Sequence, residues 1–255
     1  IFTLSFSLDP DKIPSLISLF RRVAGIMETE HIKVKVWDLP IRFFHWGMVA
    51  LMALLWWSAE VGEMQWHQIF AYSLLILIGF RLLWGLIGSD TARFSHFVHH
   101  PRVVFEYLNE VRSKGVSVVL GHNPMGGYMV IVLIAIISLQ LITGLFATDD
   151  VFTEGPLYSY VSADTGSFLT WLHKMNFNLI LALTAVHVLA VIVHALKGDK
   201  LVGAMVSGYK RVSKLEYAKL ESQLIFKSLW LALILLLIIA GVVFTYLMWP
   251  VVQVL

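Results

Sequence analysis

The chain has 255 residues, of which 58% are hydrophobic and 14% charged, with a formal net charge of +2. An average soluble domain is nearer 25% charged, so the composition excludes an ordinary water-soluble domain and gives no basis for nucleic-acid binding. Cysteine is absent, which excludes disulfides, iron–sulfur clusters, thiolate zinc sites and covalent attachment through a Cys-x-x-Cys-His motif. Metal chemistry must then rest on the ten histidines, the carboxylates or the nine methionines.

Residues 1–26, "IFTLSFSLDPDKIPSLISLFRRVAGI", lack the order of a signal peptide, because the basic pair Arg21–Arg22 follows the apolar stretch instead of preceding it. The expectation is translated upstream sequence with Met27 as the native start; the alternative is a short amphipathic helix. Beyond it, apolar runs of about 20 residues recur, long enough to cross a hydrocarbon core of about 30 Å. They cover roughly 40–60, 66–87, 125–147, 167–197 and 225–249. No strand-like alternation competes with helix, and no internal repeat stands out. The fold class expected is an all-α integral membrane bundle: a four-helix core plus a fifth C-terminal transmembrane helix. Its parts are an N-terminal segment 1–35, the core 36–200, a basic linker 201–224 and the last helix 225–255.

Under an alternating topology every Lys and Arg except Lys174 falls on one side. The connections 61–65 and 148–166 carry Glu63, Asp149, Asp150, Glu154 and Asp164 and no cation. The positive-inside rule places the N-terminus in the cytoplasm and the C-terminus outside.

The first helix opens with "WDLPIRFFHW", where Asp38 or Leu39 can cap and Pro40 suits the first turn, since its missing N–H has no helical partner there anyway. His45 then lies one to two turns in, near the cytoplasmic face. The second helix starts outside in "EMQWHQIF", so His67 is near the outer face. "GHNPMGG" opens the third helix from Asn123 or Pro124, with Gly126 and Gly127 permitting close approach of a helix or a flat cofactor edge. The fourth, "WLHKMNFNLILALTAVHVLAVIVH", holds His173, His187 and His194 in an otherwise apolar run. Fourteen residues at about 100° each return to within about 40° of the start, so His173 and His187 share a face about 21 Å apart. Histidine in such a setting is costly and marks a functional site by default.

Depth sorts these residues into two pairs, His67 with His173 outside and His45 with His187 inside, with His194 as a second candidate for the inner position. Two imidazoles facing across an apolar bundle are natural axial ligands of a haem b iron. Histidine-bound zinc is the alternative from another class, against which stands the absence of an H-E-x-x-H pattern and of a carboxylate base in the spans. A proton or metal transporter lacks the intramembrane acids and broken helices of such pathways.

In these segments, "VWDLPIRFFHW", "WHQIFAYSLLILIGFRLLWGLIG", "HHPRVVFEYL", "GHNPMGGYMV", "GLFATDDVFTEGPL" and "LHKMNFNLILALTAVHV", the chain resembles the bacterial cytochrome b561 and nickel-hydrogenase b-type cytochrome family. The resemblance implies two non-covalent haem b groups with His45, His67, His173 and His187 as iron ligands, favouring His187 over His194. It also implies electron transfer across the bacterial inner membrane between a quinone pool and an external redox protein, such as a c-type cytochrome or a hydrogenase. A quinone oxidoreductase variant, exchanging electrons with a small external partner such as superoxide, uses the same scaffold.

Haem propionates are anions that a nearby cation can pair with. Arg42 and Arg81 are the inner candidates and Lys174 the outer one; ordinary snorkelling is the alternative for Arg42. His122, His96, His99 and His100 read as solvated loop residues, His122 also as a possible donor to a quinone headgroup. The fifth helix carries neither histidine nor charge and reads as a packing helix or partner contact.

Overall fold

The computed structural model describes residues 17–18, 21–23, 25–26, 30–114, 119–149, 151, 153–218 and 224–253. The start-site expectation therefore falls largely outside the described residues. Five helices are long and apolar enough to cross a membrane. They are α1 (Leu39–Glu60), α2 (Met64–Ile87), α5 (Pro124–Gly144), α6 (Ala163–Leu196) and a last span, Leu229–Val252. Between α2 and α5 lie the short α3 (Phe94–Phe97) and the amphipathic α4 (Pro101–Lys114).

The helix starts follow local chemistry. Asp38 caps α1, accepting from the Ile41 N–H at 2.9 Å, and Asn123 caps α5 through the Gly126 N–H at 2.7 Å. Each cap precedes a proline in the first turn, the position that needs no amide donor. Ser162 caps α6. The last span comprises α9 (Leu229–Val243), a π-turn at Phe244–Met248 and α10 (Trp249–Val252). Pro250 accounts for the irregular turn, because it has no N–H to donate four residues back.

The membrane helices associate as pairs. α1 packs along α2 and α5 along α6, while α6, the least buried of the five, makes few close contacts with α1 or α2. The last span lies on α2, where Ile239 approaches Gly79. A strap fastens its entry: the Ile225 N–H donates to Asp90 Oδ2 at 2.8 Å, the Lys227 N–H donates to Ser89 Oγ at 3.0 Å, and the Asp90 N–H donates to the Ile225 carbonyl at 3.0 Å. The fifth helix is thus joined to the core by directional bonds as well as by packing.

One element was not expected. β1 (His31–Lys35) and β2 (Tyr209–Ser213) form a two-stranded antiparallel sheet with Ile32 opposite Val212, beyond α7 (Leu201–Ser207) and before α8 (Lys214–Ala218). The alternation in "HIKVK" is only five residues long, too short to stand out beside membrane helices; its partner lies far along the chain. The segment expected as a linker is thereby paired with the N-terminal segment. Gly208, at φ +86°, ends α7, and its carbonyl accepts from the N–H groups of Val36 and Trp37 at 2.8 and 3.1 Å.

Among the described residues, the sheet and most Lys and Arg lie at one end of the bundle, the basic end; the 61–63 turn and the described part of the 145–162 loop lie at the other, the acidic end. Trp56, Trp57, Trp66 and Trp171, all exposed, ring the acidic end, as amphipathic indoles do at a membrane boundary.

Candidate functional site

At the acidic end, the rings of His67 on α2 and His173 on α6 stand 6.5 Å apart, centre to centre. Two imidazoles bound to one metal at about 2 Å per bond have ring centres roughly 6 Å apart. The spacing fits a shared iron.

Their hydrogen bonds match as well. His67 Nδ1 lies 3.0 Å from the Leu55 carbonyl and 3.2 Å from Ser58 Oγ, both on α1. His173 Nδ1 lies 2.9 Å from the Gln140 carbonyl and 3.2 Å from Thr143 Oγ1, both on α5. A carbonyl only accepts, so Nδ1 carries the proton in each ring and Nε2 keeps its lone pair. Outer partners of this kind orient a ligating imidazole and set its tautomer. Each histidine is held by the other helix of its own pair and faces the opposite pair.

Two further features position His173. Gly144 stands where any Cβ would come within 3.0 Å of His173 Cε1. One turn from His173, the buried Asn176 donates to the Ile136 carbonyl at 2.9 Å and to Gln140 Oε1 at 2.8 Å, fixing α6 against α5. Ser58, Thr143, Gln140 and Asn176 are polar residues in apolar spans, the one signal in the sequence that marks them.

At the basic end, His45 on α1 and His187 on α6 lie within electrostatic range of each other, and His45 Nδ1 is buried without a protein partner. An orphaned buried imidazole nitrogen is costly unless something binds it. His194 has a different neighbour: its Nδ1 is 3.3 Å from Asp199 Oδ2, and Asp199 also pairs with Lys210 at 2.7 Å.

The three cations expected near propionates have distinct surroundings. Arg81 on α2 is 2% exposed; it lies 4.7 Å from the Phe94 ring, with Phe97 and Phe44 further out. Arg42 donates to the carbonyls of Met205 and Val206 at the end of α7, so its guanidinium is engaged by backbone. Lys174 is exposed beside His173.

His122 departs from its expected place in solvent. Its ring packs edge-on against Trp37 at 4.7 Å and tilted against Phe97 at 4.5 Å, and Nδ1 is shut off from water without a partner. Burial first, then the Arg81 charge, lowers it to about 3, so it is neutral at physiological pH. The expectation was wrong because "GHNP" reads as loop, and only the fold brings Trp37 and Phe97 over it. Gly127 serves helix packing, since a Cβ there would meet the Phe97 carbonyl. His96, His99 and His100 are exposed as expected.

Among the described residues no three His, Asp or Glu side chains gather as a metal-binding group. His67 and His173 face each other across two helix pairs, and two side-chain ligands are what a b-type haem iron would take from the protein. The class defined is a multi-pass helical membrane protein built to hold a b-type haem. The profile of the family described as prokaryotic cytochrome b561 matches residues 36–208, and the chain belongs to that family, whose function is membrane electron transfer through b-type haem. No curated protein and no solved structure gives a significant match.

Proposed function

We propose that the protein is a di-haem cytochrome that carries electrons across the bacterial inner membrane, between a quinone pool and an external redox protein such as a c-type cytochrome or a hydrogenase. His67 with His173, and His45 with His187, bind the two haem b groups. When bound, each haem iron cycles between ferrous and ferric states and so accepts and donates one electron. The chain supplies two sites about 21 Å apart along α6, held in a medium that excludes water. The basic end faces the cytoplasm by the positive-inside rule. Arg81 is the leading partner for a propionate at the basic end and Lys174 at the acidic end; Arg42 stands second, given its backbone bonds.

The observation that carries this reading is the matched acidic-end pair: two imidazoles at metal-bridging separation, each with Nδ1 fixed on a carbonyl and Nε2 left to coordinate. Family membership supports the haem, and the shared face of His173 and His187 supports its doubling. The test is an oxidised-minus-reduced absorption spectrum of the purified protein with a haem count. The expected result is a low-spin b-type spectrum and two haems per chain. A colourless protein with stoichiometric zinc overturns it.

A further inference from the structure

We propose that His122 and Arg81 together form a buried receptor for a carboxylate, the propionate of the basic-end haem. This deepens the two-haem reading above and rests on it.

Arg81 is 2% exposed, and its Nη1 donates to the Ala92 carbonyl at 3.1 Å. No carboxylate among the described residues lies within ion-pair distance of it. Asp38 acts on it from further away, but the Asp38 oxygens are occupied, Oδ1 by the Ile41 N–H and Oδ2 by the Trp84 indole N–H at 3.0 Å. A buried guanidinium with no carboxylate in contact is strongly unfavourable unless an anion joins it. His122 supplies the second group. Its Nδ1 is buried and unpartnered, and its ring flanks the Phe97 ring that Arg81 also approaches, at 5.9 Å.

Phe44, the residue before the basic-end ligand His45, also approaches Arg81, at 6.0 Å, which places the receptor at the basic end. The rings of Trp37 and Phe97 pack against His122, and those of Phe94 and Phe97 lie near Arg81. A cation beside a neutral N–H donor matches a carboxylate, which takes a charge-assisted bond from one and a second bond from the other. A quinone carbonyl would satisfy His122 but leave the Arg81 charge unbalanced.

The experiment is redox titration of the two haems at alkaline pH, in the purified full chain, for the unmodified protein, His122→Leu, His122→Gln and Arg81→Gln. Loss of a donor leaves more negative charge by the iron and favours the ferric state. Arg81→Gln should move the basic-end equilibrium at least tenfold toward ferric, about 59 mV for one electron, and His122→Leu about three- to tenfold. His122→Gln, which keeps an N–H donor, should recover most of that loss, and the acidic-end midpoint should stay in place throughout. An unmoved basic-end midpoint in His122→Leu overturns the proposal. So does loss of the bis-imidazole spectrum in that variant, which would make His122 an iron ligand.

A second measurement needs no substitution. The unmodified protein reconstituted with haem dimethyl ester, which offers no carboxylate, should release the basic-end haem at least tenfold faster; equal retention overturns the proposal. An unmodified protein with no second haem overturns the two-haem reading itself. An unmoved basic-end midpoint in a His122→Leu protein holding both haems overturns the receptor and leaves the two-haem reading standing.

Discussion

Gly144 leaves the ring of His173 the room it occupies: a Cβ built on Gly144 would lie 3.0 Å from His173 Cε1. The ring cannot yield freely, because its Nδ1 is bound to the Gln140 carbonyl on α5, one turn before Gly144. Gly144→Val should therefore disturb the acidic-end site, with overpacking on the order of 1–3 kcal/mol. The expected outcome is haem content falling from two toward one per chain, with the basic-end signal retained. Gly144→Ala should give a smaller effect of the same kind. A haem titration with resolved midpoints measures both.

Removing ligands gives the most direct result. His67→Ala or His173→Ala should remove the acidic-end haem, and His45→Ala or His187→Ala the basic-end haem. His194→Ala should keep both, because its ring is engaged by Asp199. Loss of the basic-end haem in His194→Ala, with His187→Ala intact, would reassign that ligand to His194. Haem counts with spectra of the reduced variants decide the matter.

Asp38 joins two parts of the basic end. It caps α1 and accepts the Trp84 indole N–H, and Trp84 is fully buried. Asp38→Ala removes a cap and leaves a buried donor unpaired, together about 2–4 kcal/mol. A lowered thermal midpoint in detergent, preceded by loss of the basic-end haem, is the expected result. Asp38→Asn keeps a capping oxygen but presents an amide elsewhere, so it should recover only part of the loss.

The segment from 148 to 172, a loop that runs into the first turns of α6, carries Asp149, Asp150, Glu154 and Asp164 with no Lys or Arg, a formal charge of −4. It is tied beside the acidic-end site, since Gln68, next to His67, donates to the Glu154 carbonyl at 3.1 Å. An acidic rim speeds encounter with a cationic redox partner, and salt screens that attraction. Electron exchange with the external partner should slow as ionic strength rises, and slow further at low salt in Glu63→Lys with Glu154→Lys. These side chains suit reversal because both are exposed. Asp149 does not, since its Oδ1 accepts the N–H groups of Val151 and Thr153 and shapes the loop. Stopped-flow rates across a salt series measure the effect; rates indifferent to salt and to charge reversal would remove the loop as the docking surface.

What the sequence by itself determined is what depends on length and local chemistry. The five spans were legible because a bilayer demands about 20 apolar residues in a row, whatever they pack against. The starts of α1 and α5 were legible to within one residue, Asp38 or Leu39 and Asn123 or Pro124, because a cap needs only an oxygen three residues before an unpaired amide. The shared face of His173 and His187 followed from helical period alone. Tertiary structure decided everything that requires two distant segments to meet. His122 left its expected place in solvent when Trp37 and Phe97 closed over it, and Arg42 found the carbonyls of α7, 163 residues along the chain. β1 found β2 across the whole core. The tautomers of His67 and His173 are of the same kind: each is set by a carbonyl on the neighbouring helix, and no pattern along one strand of sequence states which carbonyl that will be.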